Sequence, residues 1–527
     1  MATPVQERRR VLTPAAPPRV PTRTWPAIAV PAALAAVLTF YGMTGRSLGF
    51  DEGATVAIAS QHGSALWSGI AHDGGNMSGY YLLIHVLIGA FGHGLLVLRL
   101  VSGLAIVATV ALMASIGLRL FSPLTAFAGG VLAAISLPLV YWGQTARAYA
   151  PMVAFVCAGF RAFIELSDPP ERRSPGRWPW AGYIVAMVLA MYSSFVAVLV
   201  IPVQLLVLVH RRGVWRRVGS ALGVIAVCCV PLAVLAVRRG SGQLFWVSRP
   251  TQMVESQVLQ SLTSAGLAPS FHHTATTYVL MWGTVAAIAA LVIDLIRRRR
   301  RGEEVWGRAL LLAWCVAPAG ITFLYSLLSQ PIFVPRNVLV STPAISLALA
   351  STVSDGRRLR AAALVGVVVV VALRAVQVGA GYGVSPEPWS TVTANVLKQA
   401  RPGDCIAFYP LDGHMAFQYY VESDARAQRQ APRSILPAAP WGSVKSYVER
   451  YVTLSPAQIA ARTANCRRLW LVSSHEGQPD GPPQSRANRA QYFRLDLELQ
   501  AMFGLAPVQS YGYASTIHVQ LLTIRRR

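Results

Sequence analysis

The sequence has 527 residues, of which 54% are hydrophobic and only 13% are charged. Soluble domains carry about 25% charged residues, so this composition excludes an ordinary soluble protein. The net charge of +25 would fit a nucleic-acid-binding protein if the chain were soluble. The positive residues instead cluster in short links between apolar runs, as in multi-pass membrane proteins, so we expect a lipid bilayer and no nucleic acid as its partner.

The N-terminal segment, residues 1–24, is rich in Pro and Arg and has no periodicity, which predicts a disordered basic tail. The first apolar run follows, from about Trp25 to Met43. It is longer than the core of a signal peptide and lacks a small-residue cleavage site. We therefore expect it to remain as a membrane anchor.

Basic links between the apolar runs predict the topology, because positive loops of membrane proteins stay in the cytoplasm. The segments placed there are the tail, 171–177, 211–217, 297–301 and 357–360. Consecutive cytoplasmic segments need an even number of crossings between them. This predicts a pair of short helices turning near 192–194, a second pair on either side of 238–273, a third turning at 330–337, and a last span over about 361–382.

The early region contains clear spans near 96–118, 123–142 and 150–166. The parity holds if the apolar segment from Tyr80 to Phe91 does not cross, and about 12 residues are too few to span comfortably. We predict an interfacial or re-entrant helix there. The result is about 11 transmembrane helices over 25–382, with an outer loop at 44–95, the N-terminus inside and the C-terminus outside.

Residues 383–527 differ in character, since short β-rich runs alternate with helical stretches and Pro/Gly/Asp turns. They predict an extracytoplasmic α/β domain with strands at 405–409, 469–472 and 517–524. Cys405 and Cys466 fall in this domain. An extracytoplasmic location would allow them to form a disulfide, and two free thiols fit the sequence equally well.

The adjacent acids Asp51 and Glu52 follow the first apolar run in a chain with only 22 acidic residues. Asp51 precedes a helical pattern, so one interpretation is a helix N-cap. The other is a general base that takes a proton from an acceptor hydroxyl. Glu52 suits a local hydrogen bond or an ion pair with an arginine.

Asp73 lies in the sequence His72-Asp73-Gly74-Gly75-Asn76, which is typical of a turn. Alternatively, it is a second carboxylate that orients an acceptor or, with His72, holds a divalent cation. The sequence leaves the need for any cofactor open.

Several cations are predicted on the outer side, where arginines are less common than on the inner side. They are Arg147, Arg238, Arg239, Arg336 and the pair His272–His273. A snorkelling arginine is the simple interpretation. The alternative is an anionic partner, for which a phosphate is suitable because arginine binds it bidentately. The histidine pair better fits an interfacial position than a ligand site.

Five motifs, in order, resemble those of GT-C glycosyltransferases, which are polytopic enzymes that use polyprenyl-phosphate sugars. Examples are protein O-mannosyltransferases, aminoarabinose transferases, and actinobacterial mannosyl- and arabinosyltransferases. The motifs are Asp51-Glu52, the segment 73–85 with Tyr80-Tyr81-Leu82-Leu83-Ile84-His85, the segment Leu98-Arg99-Leu100-Val101-Ser102, the segment 144–150 with Ala146-Arg147-Ala148-Tyr149, and Pro335-Arg336-Asn337. Two positions depart from the family pattern: Ser78-Gly79 replaces Pro-Pro, and Gln144 replaces an acid.

The resemblance covers roughly residues 25–380 and implies that Asp51 is the base, with Glu52 and Asp73 beside it. It implies that Arg147 and Arg336, backed by Arg238 and Arg239, hold the lipid phosphate. The expected reaction is inverting transfer of a sugar, mannose or else arabinose, to a cell-envelope glycan or glycolipid. The alternatives are a lipid-linked sugar transporter or flippase, which needs polar residues in broken helices at mid-membrane, and a non-catalytic assembly protein.

Overall fold

The computed structural model describes residues 24–168, 176–209, 211–240, 244, 246–265, 275–352, 357–382, 384–441, 451–513 and 516–524. Residues 1–23 of the predicted tail and the pair His272–His273 lie outside this described part of the chain. The remaining residues form a helical bundle followed by a smaller domain with a mixed sheet.

The bundle is built from 17 helices within the described residues. The first eight are α1 (Pro26–Phe40), α2 (Phe50–Ala59), α3 (Gly63–His72), α4 (Ser78–Phe91), α5 (Leu95–Leu120), α6 (Pro123–Ala134), α7 (Leu137–Gly143) and α8 (Tyr149–Leu166). The others are α9 (Arg177–Ser193), α10 (Val200–Leu208), α11 (Trp215–Cys228), α12 (Val230–Arg239), α13 (Gln252–Leu262), α14 (Ala275–Arg300), α15 (Trp306–Leu328), α16 (Thr342–Ser351) and α17 (Arg357–Gly381). Short 3₁₀ helices at Phe195–Leu199, Arg212–Val214 and Pro335–Ser341 precede α10, α11 and α16.

Five of the described helices are long and apolar enough to cross a membrane: α5, α8, α14, α15 and the apolar part of α17. The number rises to seven if α6 with α7 and α11 with α12 each form one bent span. Both bends have a proline just after the break, at Pro138 and Pro231. The mostly helical membrane fold is therefore as predicted, whereas the count of eleven, which needs the shorter helices too, stays a prediction.

The helix α4 occupies the segment for which an interfacial or re-entrant helix was predicted. It is 14 residues long and is bounded by Met77 and Gly92, both of which have positive φ angles. A left-handed residue cannot continue an α-helix, so these two positions limit its length. The predicted turn near 192–194 also matches the gap between α9 and the 3₁₀ helix at Phe195.

The C-terminal domain has five strands in the order β2-β1-β3-β5-β4, with β1 parallel to β2 and β3, and β5 antiparallel to β3 and β4. The strands are β1 (Asp404–Tyr409), β2 (Arg433–Leu436), β3 (Arg468–Ser473), β4 (Val508–Tyr511) and β5 (Ile517–Thr523). Its helices are α18 (Trp389–Gln399), α19 (Gly413–Glu422), α20 (Ala425–Gln430), α21 (Pro456–Thr463) and α22 (Pro483–Phe503).

The three strands predicted from the sequence are those with the most apolar residues, β1, β3 and β5. The edge strands β2 and β4 are only four residues long, too short to show an alternating pattern. A disulfide joins Cys405 in β1 to Cys466, with their Cα atoms 5.5 Å apart. Of the two alternatives open in the sequence, the structure has the disulfide.

The domain rests on the segment that leads into α2. The backbone N–H of Leu48 donates to the Tyr420 hydroxyl at 2.6 Å, and the N–H of Ser47 donates to the Ser385 hydroxyl at 2.9 Å. Behind these contacts α19 packs on α2, and a Cβ added to Gly53 would lie 3.0 Å from the backbone nitrogen of Ala416. The first loop of the bundle and the C-terminal domain are thus in direct backbone contact.

Candidate active site

The helix α2 separates the environments of its two adjacent acids. Gly49 is the N-cap, so Asp51 and Glu52 fall in the first helical turn, where the positive end of the helix dipole favours carboxylates. Successive helical residues are rotated by about 100°, so the two side chains diverge. The Asp51 side chain is 45% exposed, whereas that of Glu52 is 5% exposed.

Glu52 has hydrogen-bond donors on both of its carboxylate oxygens. Arg99 binds it through Nε at 2.9 Å and Nη2 at 2.8 Å. The backbone N–H groups of Gly49 and Ala146 donate to it at 3.0 and 2.6 Å. Burial alone would raise the pKa of Glu52, but the charge of Arg99 and these hydrogen bonds lower it below its ordinary value.

These bonds join three parts of the bundle, because Arg99 also donates to the carbonyls of Met43, Arg46 and Ser47. A fully hydrogen-bonded, buried carboxylate is poorly placed to exchange protons with a substrate. The structure thus has the ion pair with an arginine that the sequence offered for Glu52, and a part for Glu52 in catalysis stays a prediction. Arg99 belongs to the quoted segment 98–102 but was not singled out as a site residue.

Asp51 is in contact with both arginines that were expected to bind phosphate. Arg336 Nη1 donates to Asp51 Oδ2 at 3.0 Å, and Arg147 Nη2 lies 3.9 Å from the same oxygen. Arg147 is the more buried, and its Nη1 also donates to the carbonyl of Asp51 at 3.2 Å. The fold thus brings Arg336 to Asp51, although the two residues are 285 positions apart in the chain.

Charge interactions stabilise the group formed by Asp51, Arg147 and Arg336. Burial by itself would lower the pKa of Arg147, but the neighbouring acidic groups, Asp51 first among them, together outweigh it and raise the pKa well above its ordinary value. The guanidinium of Arg336 lies over the ring of Trp246, with 4.5 Å between the group's carbon and the ring centroid. The Tyr149 ring lies 5.9 Å from both guanidiniums. The result is a paired cationic group beside a partly exposed carboxylate.

Asp73 interacts with this group through the electrostatic effect of its charge on Arg147. It follows the last residue of α3, and its Oδ2 accepts a hydrogen bond of 2.9 Å from the Tyr81 hydroxyl. Its charge also acts on Arg147, whose pKa it helps to raise. A Cβ added to the next residue, Gly74, would lie 3.0 Å from Cβ of Arg239. The stem of Arg239 therefore packs against the turn that carries Asp73.

Arg238 is exposed, and in the described part of the chain no hydrogen bond or ion pair joins it to Asp51 or Asp73. The structure therefore brings together Asp51, Arg147 and Arg336, places Asp73 and Arg239 behind them, and leaves Arg238 outside.

Gln144, which stands where the family pattern has an acid, fills a structural position. Its amide nitrogen donates to the carbonyls of Thr39 and Tyr41, and its oxygen accepts from Arg46 at 3.1 Å. Among the described residues there is no group of three or more His, Cys, Asp or Glu side chains that could hold a metal ion.

The C-terminal domain adds two residues at the start of α2 that the sequence did not indicate. Glu387 Oε2 accepts the backbone N–H of Phe50 at 2.6 Å, and its Oε1 lies 3.5 Å from Nε2 of His475. The His475 ring lies against the Phe50 ring, with centroids 4.3 Å apart. Neither residue lies in a recognisable motif, and only the packing of the domain on α2 brings them here.

Solved structures with a similar fold include two glycosyltransferases. ArnT from Cupriavidus metallidurans bound to undecaprenyl phosphate is 14% identical, with a TM-score of 0.53 over 93% of this chain and 97% of that chain. The archaeal oligosaccharyltransferase AglB from Archaeoglobus fulgidus, in complex with an inhibitory peptide and a dolichol-phosphate, is 13% identical, with a TM-score of 0.55 over 94% of this chain and 74% of that chain. Both belong to the GT-C superfamily. The chain has the GT-C fold.

The sequence matches no protein-family model and has no significant match among curated proteins. Similarity to the GT-C structures at this level of identity establishes the fold alone, and it confirms the resemblance inferred from the five motifs. The order of those motifs thus indicated the correct GT-C architecture, although the sequence is only 14% and 13% identical to the two neighbours.

Proposed function

We propose that this protein is an inverting membrane glycosyltransferase that takes a sugar from a polyprenyl-phosphate donor. The observation that carries the proposal is the contact of Asp51 with Arg147 and Arg336 at a partly exposed site next to the C-terminal domain. The GT-C fold supports it, since one similar structure holds undecaprenyl phosphate and another holds a dolichol-phosphate.

Transfer from a polyprenyl-phosphate donor requires two functions from the enzyme. Its leaving group is a phosphate, so cations must stabilise the negative charge that grows as the bond to the sugar breaks. The acceptor hydroxyl must lose a proton, for which a carboxylate is suitable. Asp51 takes that proton, the acceptor oxygen attacks the anomeric carbon, and the bonding pair leaves with the lipid phosphate. A single displacement of this kind inverts the anomeric centre.

Arg147 and Arg336 are the proposed phosphate ligands. Arginine presents a planar fork of donors that matches phosphate oxygens, and two guanidiniums sharing one carboxylate retain excess positive charge. Arg239 supports the Asp73 turn from behind, and no hydrogen bond or ion pair among the described residues links Arg238 to Asp51 or Asp73. The proposal assigns no step to a divalent cation, and Asp51 and Asp73 are the carboxylates that would hold one.

The finer specificity follows the family resemblance. Mannose is the proposed sugar and arabinose the second, with a cell-envelope glycan or glycolipid as acceptor. The transfer would take place on the extracytoplasmic side, with the N-terminus in the cytoplasm. The C-terminal domain borders the site through Glu387 and His475, and it is therefore positioned to contact an acceptor.

The transporter alternative needs polar residues near mid-membrane in broken helices, and Asp294 is an isolated charge near the predicted inner end of an otherwise apolar span. This residue binds Arg298 and Arg308, in both cases through Asp294 Oδ2, at 2.9 and 2.7 Å. The three side chains form a local ion-pair group at the arginine-rich end of α14. Asp294 therefore provides no observation in favour of transport.

The direct test is a donor panel with the purified protein in nanodiscs. Labelled mannose and arabinose would be supplied on polyprenyl phosphate and, separately, on nucleotides, with extracted envelope glycolipid as acceptor. We expect transfer only from the polyprenyl-phosphate sugars. Transfer from nucleotide sugars alone, or movement of the intact donor across liposomes without transfer, would refute the proposal.

The arginine assignment has its own test. Replacing Arg336 with Ala removes a charge-assisted hydrogen bond to phosphate, worth about 1.5–3 kcal/mol, so donor affinity should fall roughly tenfold to a hundredfold. Acceptor KM should change much less. Arg308→Ala is the matched control, because Asp294 keeps Arg298 as a partner in that variant. A larger effect on the acceptor than on the donor would reject the assignment.

A further inference from the structure

The first peptide N–H of α2 is bound by a side chain from the other domain. The N–H groups in the first turn of a helix have no partner within the helix. Here the N–H of Phe50 donates to Glu387 at 2.6 Å, across 337 residues of sequence. Because Phe50 directly precedes Asp51, this bond fixes the backbone from which the Asp51 side chain projects.

A second contact from the same domain holds the side chain of Phe50. The ring of His475 lies 4.3 Å from the Phe50 ring, and its Nε2 lies 3.5 Å from the other oxygen of Glu387. His475 follows closely after β3, at the end of that strand where catalytic and binding loops of parallel sheets gather. Glu387 and His475 thus lie against each other, and together they contact both the backbone and the ring of Phe50.

We propose that Glu387 and His475 are positioning residues that hold Asp51 in place through Phe50. This inference rests on the proposed role of Asp51 as the base. The contacts that carry the inference are with Phe50: Glu387 accepts its backbone N–H, and His475 lies against its ring. The C-terminal domain would then complete the active site as well as border it.

The physical reason is geometric. A general base must lie within hydrogen-bond reach of the hydroxyl that it deprotonates. A displacement of about 1 Å at a reacting group can cost on the order of a hundredfold in rate. What Glu387 supplies is an oxygen that accepts a hydrogen bond, and a glutamine amide offers the same oxygen without the charge.

The test compares Glu387→Leu with Glu387→Gln in the full-length protein, using transfer from a labelled polyprenyl-phosphate sugar. We expect Glu387→Leu to lower kcat about tenfold or more and to leave donor affinity within about twofold, because the arginines are untouched. Glu387→Gln should keep about half of the wild-type kcat or more. The control is Glu422→Leu, which removes an exposed glutamate of the same domain whose hydrogen bond in the described part of the chain is with Gln418 of the same helix, α19.

A second pair of variants removes the hydrogen-bond donor, the Phe50 N–H, instead of the Glu387 carboxylate that accepts it. Phe50→Pro eliminates the N–H at the first helical position, where proline is tolerated, and Phe50→Ala keeps it. Both lose the ring, so their difference isolates the hydrogen bond. We expect Phe50→Pro to have a kcat about tenfold below that of Phe50→Ala. The variant His475→Phe should retain more activity than His475→Ala, since a phenylalanine ring preserves the contact with the Phe50 ring.

Some outcomes would overturn the inference and spare the proposed function. If the wild type is active and Glu387→Leu has the same kcat as Glu422→Leu, the inference is wrong. Equal kcat values of Phe50→Pro and Phe50→Ala would overturn it in the same way. Parallel loss of donor affinity, unfolding temperature and kcat in Glu387→Leu, with no recovery in Glu387→Gln, would indicate a merely structural role. A wild type that transfers nothing from the lipid-linked donor would instead refute the proposed function.

Discussion

At the residue scale, the two carboxylates at the start of α2 have opposite surroundings. Glu52 is buried and accepts four hydrogen bonds, two of them from Arg99. Asp51 is 45% exposed and shares its charge with two arginines that an incoming phosphate could also contact. Adjacent residues of the same chemical type thus divide into one buried, ion-paired carboxylate and one partly exposed carboxylate, and the exposed one is the proposed base.

The Arg99–Glu52 pair makes a clear stability prediction. Replacing Arg99 with Met leaves a buried carboxylate without its counter-ion, which typically costs about 3–5 kcal/mol. We expect a large fall in unfolding temperature in detergent, measured by intrinsic fluorescence. Arg119→Met is the matched control on the same helix, because Arg119 is 46% exposed and pairs with Asp168 at the surface. Such a pair contributes about 0–1 kcal/mol, and equal effects of the two variants would contradict the assignment.

Glu387 gives the protein a stability that depends on pH. Burial raises its pKa to about 7 from an ordinary value of 4.5, and the nearby charge of Asp51 adds to the shift, although the Phe50 N–H opposes it. Among the described residues, the titratable groups that interact with Glu387 include Asp51, Glu52, Tyr141 and His475. Between these two pKa values the folded protein keeps a proton that the unfolded chain has released, so this group's contribution to stability declines as pH rises.

The variant Glu387→Gln has no such group. We therefore expect the unfolding temperature of the variant, minus that of the wild type, to increase as the pH is raised from 5 to 8. This difference should level off above about pH 8. Differential scanning fluorimetry across this range is the measurement. A difference that stays constant, or that shrinks with rising pH, would show that the carboxyl is not held protonated in the folded state.

At the element scale, the close approach of α2 and α19 determines how the C-terminal domain meets the site. A Cβ at Gly53 would come within 3.0 Å of the Ala416 nitrogen and 3.1 Å of its Cα. Backbone atoms cannot move aside as a side chain end can. The absence of a side chain at Gly53 is therefore a condition of this packing.

We expect Gly53→Ala to destabilise the protein by about 1–3 kcal/mol through overpacking and to lower transfer activity as well, because the two helices must separate. The control is Gly89→Ala in α4, where a Cβ would meet nothing within 4 Å. That substitution should be neutral or slightly stabilising, since alanine favours helix more than glycine does. Thermal unfolding and initial transfer rates of the two variants provide the comparison, and wild-type behaviour of Gly53→Ala would contradict the packing described.

At the scale of the whole molecule, the sequence supported the membrane class, the GT-C architecture and the three central strands. These depend on long apolar runs and ordered motifs, which are local signals. The edge strands β2 and β4 were missed because four residues carry too little pattern. The positions of Glu387, His475 and Trp246 beside the candidate site could not be foreseen, since they come from contacts between segments far apart in the chain. The different surroundings of Asp51 and Glu52 likewise depend on the N-cap at Gly49, which determines which of the two faces inward.

The central claim is that Asp51 takes the proton from the acceptor, and Asp51→Asn tests it most directly. The measurement is sugar transfer from a labelled polyprenyl-phosphate donor by the purified protein in nanodiscs, with donor binding determined on the same sample. The control is Asp424→Asn, which replaces another aspartate near the start of a helix, the N-cap of α20. We expect Asp51→Asn to bind the donor with an affinity within a few-fold of wild type and to transfer sugar roughly a hundredfold to ten-thousandfold more slowly. Transfer by Asp51→Asn at a rate close to those of the wild type and the control would contradict the account.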